Sequence, residues 1–131
     1  MSAVVIDTCV WIDYLAGRAS ELEIQIEEAL LEGRVYLSPI VITELFSAKN
    51  FRQGQEKALF LLLNEIPLAV CGIQHWISVG KLRGALRRRG LTVSTPDAHI
   101  VQVALDLNAR LLSHDLIFQK IKQIVPRLNL N

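Results

Sequence analysis

Four acidic residues, Asp7, Glu44, Asp97 and Asp115, stand where solvation alone does not account for a carboxylate. Asp7 closes the apolar run Ala3-Val4-Val5-Ile6, and Asp115 follows a second strand-like run at residues 110–113. Ligand sites of open parallel sheets collect outside the carboxyl ends of strands, so both acids lie at or just beyond such a place. Asp97 falls in the first turn of a helix whose buried side is defined by Ile100, Val101, Ala104 and Leu107, which aims its carboxylate along the core stripe. Glu44 has Ile40, Val41, Leu45 and Ala48 around it at helical spacing, which puts it at the edge of an apolar face.

A hard cation is one common explanation. Magnesium or manganese prefers oxygen ligands and offsets the penalty of grouping carboxylates in a partly buried cleft. Such an ion polarises a phosphoryl oxygen and lowers the pKa of bound water, so that a phosphodiester is attacked in line without a protein nucleophile. Each acid also has an ordinary reading on its own. Asp97 can serve the helix dipole, strand-end aspartates are common in turns, and Glu44 is a surface acid if the helix phase is shifted.

The elements that must carry these residues alternate between strand and helix. Residues 3–6 read as a strand buried on both faces. Thr8 caps a short helix through residue 15 that Gly17 closes, and Ser20 with Glu23 makes a capping-box pattern for a helix ending before Gly33. A strand at 35–37 precedes Ser38 as N-cap and Pro39 as first residue of a helix running to about Lys49. A helix at 55–64, a third strand at 68–71 and a longer helix at 74–89 stopped by Gly90 follow. Ser94-Thr95-Pro96 opens the helix that runs from Asp97 to about Leu107, and Asp115 begins a short helical turn after the strand at 110–113. A last strand is expected at 123–125. This alternation predicts an α/β fold, three layers of helix, mainly parallel sheet and helix, in one domain over residues 1–131.

Composition agrees with that plan and narrows the function little. The chain has 131 residues, 51% of them hydrophobic, enough for one core. Fourteen basic against 13 acidic residues give a formal charge of +1, so a nucleic-acid partner must be held by a local patch. Cys9 and Cys71 lie far apart with no CxxC pair and, on this reading, no histidine at ligand spacing, which makes them buried thiols of a reducing compartment. The start has no basic n-region, and the apolar stretch at 58–63 is far short of a membrane span, so a cytoplasmic protein without membrane attachment is expected.

Four segments in order carry a family resemblance: Val5-Ile6-Asp7-Thr8 leading to Trp11-Ile12-Asp13-Tyr14-Leu15, then Val41-Ile42-Thr43-Glu44-Leu45, then Pro96-Asp97-Ala98-His99-Ile100, and Leu112-Ser113-His114-Asp115 with Phe118. Over nearly its whole length the chain resembles the PIN-domain nucleases, most closely the VapC toxins of toxin-antitoxin pairs. The resemblance implies that Asp7, Glu44, Asp97 and Asp115 are the family's acidic, metal-holding positions and that Thr8 and Ser113 are supporting hydroxyls. It further implies cleavage of RNA with Mg2+ or Mn2+, a homodimer, and a VapB-type antitoxin that covers the cleft. The Ser94-Thr95-Pro96 approach to Asp97 departs from many relatives and leaves the loop shape open.

Other residues near the motifs are weighed individually. His114 is expected to be a partly exposed neighbour, although an acid-base role is open. Asp106 falls opposite the stripe of Ile100 and Ala104 on a solvated face, and Asp13 is ambiguous. Trp11 and Trp76 read as core by default, with an interface as the alternative. No acid occurs between residues 66 and 96, while Lys81, Arg83, Arg87, Arg88 and Arg89 gather toward the end of the long helix. Arg87, Arg88 and Arg89 can contact RNA phosphates, or serve the helix C-terminus. Two other classes compete: an aspartate-phosphorylating hydrolase, which needs a second acid where Cys9 stands, and a PIN-like binding module that has lost its acids.

Overall fold

The computed structural model describes residues 2–48 and 51–131. Strand β1 is Val4–Ile6, and helices α1 (Thr8–Leu15) and α2 (Glu23–Leu31) carry the chain to β2 (Val35–Tyr36). Helices α3 (Pro39–Ser47), α4 (Gln55–Asn64), α5 (Ile73–Arg88) and α6 (Thr95–Asp106) precede β3 (Arg110–Leu112), and α7 (Leu116–Ile124) leads to β4 (Asn129–Leu130). The strands form one sheet in the order β2-β1-β3-β4, parallel throughout. The predicted α/β class with a parallel central sheet is therefore the observed one.

Strand order reverses direction between β1 and β3. The chain steps from β1 outward to β2, then crosses back over β1 to add β3 and β4 on the other side. Such a switch point leaves a crevice where the two connections diverge at the carboxyl ends of neighbouring strands. Val4 pairs with Arg110 and Ile6 with Leu112, so the residues after Ile6 and Leu112 emerge side by side. The Asp7 amide donates to the Leu112 carbonyl at 2.9 Å and extends this register by one residue.

The continuous apolar run of β1 is buried as expected, with Val4, Val5 and Ile6 all at 2% exposure or less. Trp11, Phe118, Ile26, Leu45 and Ile100 fill the layers on either side, each contributing on the order of 1.5–3 kcal/mol by burial. Helix α5 packs along α6. Gly90 ends α5 with φ +86°, a left-handed turn that any Cβ would strain. Among the described residues, no helix is long and apolar enough to cross a membrane.

Several expected boundaries differ. Residues 68–71 make no strand, only a parallel bridge of Leu68 to Leu37, because β2 is two residues long and Ser38 already turns into α3. The segment expected as a strand at 123–125 is the end of α7, whose Phe118 and Ile121 are buried one turn apart, and the last strand forms after Pro126. Asp7, not Thr8, occupies the N-cap of α1. Ser20 makes no capping box, since α2 begins at Glu23 behind Leu22. The end expected for α3 at Lys49 lies outside the described residues; the helix itself closes at Ser47.

Candidate active site

Strand and helix ends place the four acids. Asp7 follows β1 and is only 7% exposed, Asp115 is the N-cap of α7 just after β3, Glu44 lies inside α3, and Asp97 sits in the first turn of α6. The local causes are visible: Ser94 Oγ accepts from the Asp97 amide at 3.2 Å, with Pro96 in the first helical turn, and this fixes the start of α6. On the far side of that loop, Arg83 Nε donates to the Val93 carbonyl at 2.8 Å and ties the approach to α5.

Asp97 senses the other three carboxylates. Asp97 is pushed above the usual aspartate range first by burial, and further by the charges of Asp7, Asp115 and Glu44, while its Ser94 contact opposes the shift. Among the described residues, no lysine or arginine forms an ion pair with any of the four. The charges of three further acids therefore reach Asp97 without a paired cationic side chain among the described residues. The donor set is all oxygen, which fits a hard divalent ion.

Two hydroxyls brace this cluster. Ser113 Oγ donates to Asp7 Oδ2 at 2.8 Å and accepts from the Asp115 amide at 3.0 Å, so one side chain fixes both strand ends. Thr8 Oγ1 donates to Glu44 Oε1 at 2.7 Å, joining α1 to α3 across 36 residues of sequence. Asp115 Oδ1 accepts from the Ile117 amide at 3.1 Å, and among the described residues its second oxygen has no hydrogen-bond partner.

Sequence reading overlooked other contributors. Cys9 Sγ donates to Asp7 Oδ2 at 3.3 Å and lies 3.8 Å from Ser113 Oγ; its thiol is raised, chiefly by burial and also by the Asp7 charge. Asn131 Oδ1 accepts from the Ser113 amide at 2.8 Å. No local pattern signals Asn131, whereas Cys9 stands two residues from Asp7 and was within view.

The remaining candidates separate. His114 is exposed, as expected, and Asp13 pairs with Arg18 at 3.4 Å. Arg87, Arg88 and Arg89 are exposed at the end of α5, one short loop before α6. Trp11 is core at 1% exposure, but Trp76 is 42% exposed and stacks on His99 with ring centroids 4.8 Å apart and planes at 11°.

The reading of both cysteines as buried thiols without a histidine partner is corrected. Each is half-buried, and Cys71 groups with His75 and His99. His75 Nε2 lies 2.6 Å from His99 Nδ1, His99 Nε2 lies 2.7 Å from Ser38 Oγ, and His75 Nδ1 faces Asp106 Oδ2 at 3.6 Å. Ser38 therefore spends its hydroxyl on His99 and makes no side-chain cap for α3. Burial, and then His75, lower His99 to about 4, so it is neutral near pH 7.

Comparison with known proteins comes out consistently. The sequence profile of the PIN domain matches residues 4–124. No curated protein matches the chain by sequence. Among solved structures, VapBC2 of Rickettsia felis bound to a promoter DNA fragment aligns with TM-score 0.78 at 20% identity, over 98% of this chain and 97% of the other. DNA-bound VapBC of Salmonella typhimurium aligns with TM-score 0.77 at 19% identity, over 100% and 98%. VapBC-1 of nontypeable Haemophilus influenzae gives 0.74 at 24%, over 98% and 96%. At these identities the likeness is one of fold.

Proposed function

The chain belongs to the PIN domain family, and from that premise we propose that it is a divalent-metal-dependent endoribonuclease, the toxin of a VapBC-type pair, acting as a single domain over residues 1–131. The observation that carries this reading is the gathering of Asp7, Glu44, Asp97 and Asp115 at the sheet switch point, close enough to raise Asp97 and with no cationic side chain paired to them among the described residues.

Asp7, Asp97, Asp115 and Glu44 would hold Mg2+, with Mn2+ as an alternative of the same ligand preference. When bound, the ion supplies positive charge to the phosphodiester and acidifies the water that attacks it. The chain's own contribution is placement. Ser113 holds the Asp7 carboxylate and the Asp115 backbone in one arrangement, and Thr8 does the same for Glu44, so ligand orientation is set before substrate arrives. With Asp7 buried against β3, solvent does not compete for its inner oxygen. The exposed guanidinium groups of Arg87, Arg88 and Arg89 would contact RNA phosphates beside a cleft that otherwise repels them.

For partners, we assign an antitoxin of VapB type, on the strength of the fold shared with VapBC complexes, and a second copy of the chain, which only the family resemblance implies. A groove of about 710 Å³ lined by Ile12, Leu15, Leu45, Phe51, Leu59 and Leu62, with Arg18 and Arg52 at its rim, suits an amphipathic antitoxin segment carrying acids.

Cleavage of a total cellular RNA pool by antitoxin-free protein tests the proposal. We expect fragments with Mg2+ or Mn2+ and none with EDTA; RNA left intact under every metal condition would overturn it. The arginine assignment is tested by Arg88→Ala, which should weaken RNA binding and lower the salt slope by about 1. An unchanged slope assigns the arginines to the α5 terminus alone.

A further inference from the structure

We propose that Cys71, His75 and His99 form a second metal site, for a borderline transition cation of the zinc type, distinct from the four carboxylates. The proposal does not depend on the nuclease reading. One ligand atom from each of the three residues lies within 4.8 Å of the others. A tetrahedral zinc ion with one sulfur and two nitrogen ligands sets its donors about 3.3–3.6 Å apart, so a contraction of about 1 Å at the thiol suffices.

The outer partners are already in place. Imidazoles that ligate metals usually have their remote nitrogen held by a carboxylate or another acceptor, which fixes the ring and its tautomer. Here the remote Nε2 of His99 meets Ser38 Oγ and the remote Nδ1 of His75 faces Asp106 Oδ2, leaving His99 Nδ1 and His75 Nε2 pointed at each other. Asp106 is in turn held by Gln102 Nε2 at 2.8 Å. Without metal, one proton sits between the facing nitrogens. Loading by a cation sends the Cys71 thiol proton to solvent and moves the shared proton to His99 Nε2, which then donates a hydrogen bond to Ser38 Oγ; small ring rotations open the 2.6 Å gap.

Access and selectivity follow from the surroundings. Cys71 is half-buried, and a cavity of about 160 Å³ lined by Tyr36, Val70, His75, Val103 and Asp106 opens beside His75, with room for water next to the cluster. A thiolate and two imidazoles favour zinc-like ions, whereas magnesium prefers the oxygen set around Asp7. The ligands come from the segment before α5, from α5 and from α6, so binding would clamp the α5–α6 pair.

Metal-free full-length protein, kept reduced with a non-thiol reductant, is titrated with Co2+ and then Zn2+. We expect one equivalent of Co2+ to give tetrahedral visible bands with a thiolate charge-transfer absorption, to quench the fluorescence of Trp76 stacked on His99, and to be displaced by Zn2+ but not by Mg2+. Cys71→Ser should remove the charge-transfer band, while Cys9→Ser and Asp7→Asn keep it. Asp106→Asn should weaken Zn2+ binding about 10–100-fold. His75→Gln, checked for cooperative melting, should weaken Co2+ at least about 100-fold. A wild-type protein without the band, a band lost only in Cys9→Ser, or full Co2+ affinity in a folded His75→Gln would each overturn the site. No RNA enters this assay, so its outcome is separate from that of the cleavage test.

Discussion

Asp97 and His99 stand two residues apart on α6, about 200° around the helix, and serve two polar clusters built on opposite electrostatic terms. On the Asp97 side, the charges of three further carboxylates, two of them braced by Ser113 and Thr8, raise the proton affinity of Asp97. On the His99 side, Ser38, His99, His75 and Asp106 form a chain in which each group can be satisfied with both imidazoles neutral. In the first arrangement the unfavourable charge at Asp97 is relieved by a proton or, on the proposed function, by a bound cation. The second is at rest without one, and takes a metal only by exchanging a proton. One helix thus takes part in both clusters.

The largest separation of the two clusters is expected from Asp7→Asn. The proposed RNA cleavage should fall by more than about 100-fold, beyond the usual loss from an outer-shell partner, while the thermal midpoint without metal stays level or rises. A large loss of stability with activity retained would reverse the contrast. His99→Ala should do the opposite. Its ring is 0% exposed, and removing it leaves a cavity and strands Ser38 Oγ and His75 Nε2, a loss of about 2–4 kcal/mol in urea unfolding.

Acid titration sharpens the contrast. His99 is lowered from 6.5 to about 4 in the fold, so the unfolded chain binds the proton more readily. Stability is complete above about pH 6.5 and is lost as the pH falls toward 4. His99→Gln should flatten this slope in urea midpoints measured across that range. The smallest effect is expected at Asp97, whose raised pKa has the other sign: the folded state holds the proton more tightly, and stability drops as the pH rises through the window above the ordinary aspartate value. In EDTA at neutral pH, Asp97→Asn should therefore be slightly more stable than the parent, and added Mg2+ should stabilise the parent more than the variant. Equal Mg2+ stabilisation of both would remove Asp97 from the ligand set.

What could be read from the sequence was what is decided within one turn or one strand. The apolar run ending at Asp7, the Ser94-Thr95-Pro96 start of α6 and the Gly90 stop of α5 are backbone preferences acting over a few residues, and they fixed the alternation that makes a parallel sheet. Asp7, Asp97 and Asp115 were visible because each sits at such a boundary, and Glu44 because apolar residues surround it at helical spacing. Signals that competed locally were misread. Leu68 and Val70 have strand-forming character, but β2 is too short to pair with them, and both are exposed. Ile124 and Val125 look like a strand, yet their neighbours Phe118 and Ile121 continue a helical stripe.

By itself, then, the sequence determined the class of fold, the four acids that are candidates for the site and the family they resemble. Tertiary structure alone decided who touches whom: Thr8 reaching Glu44 instead of capping α1, Ser38 turning to His99, Ser113 bridging Asp7 and the Asp115 amide, and Cys71 meeting a histidine 28 residues later. The reason is physical. A helix cap or strand end is settled by dihedral preferences of adjacent residues, whereas a hydroxyl or imidazole takes the partner that packing of distant elements brings within about 3 Å, and buried polar groups must take one.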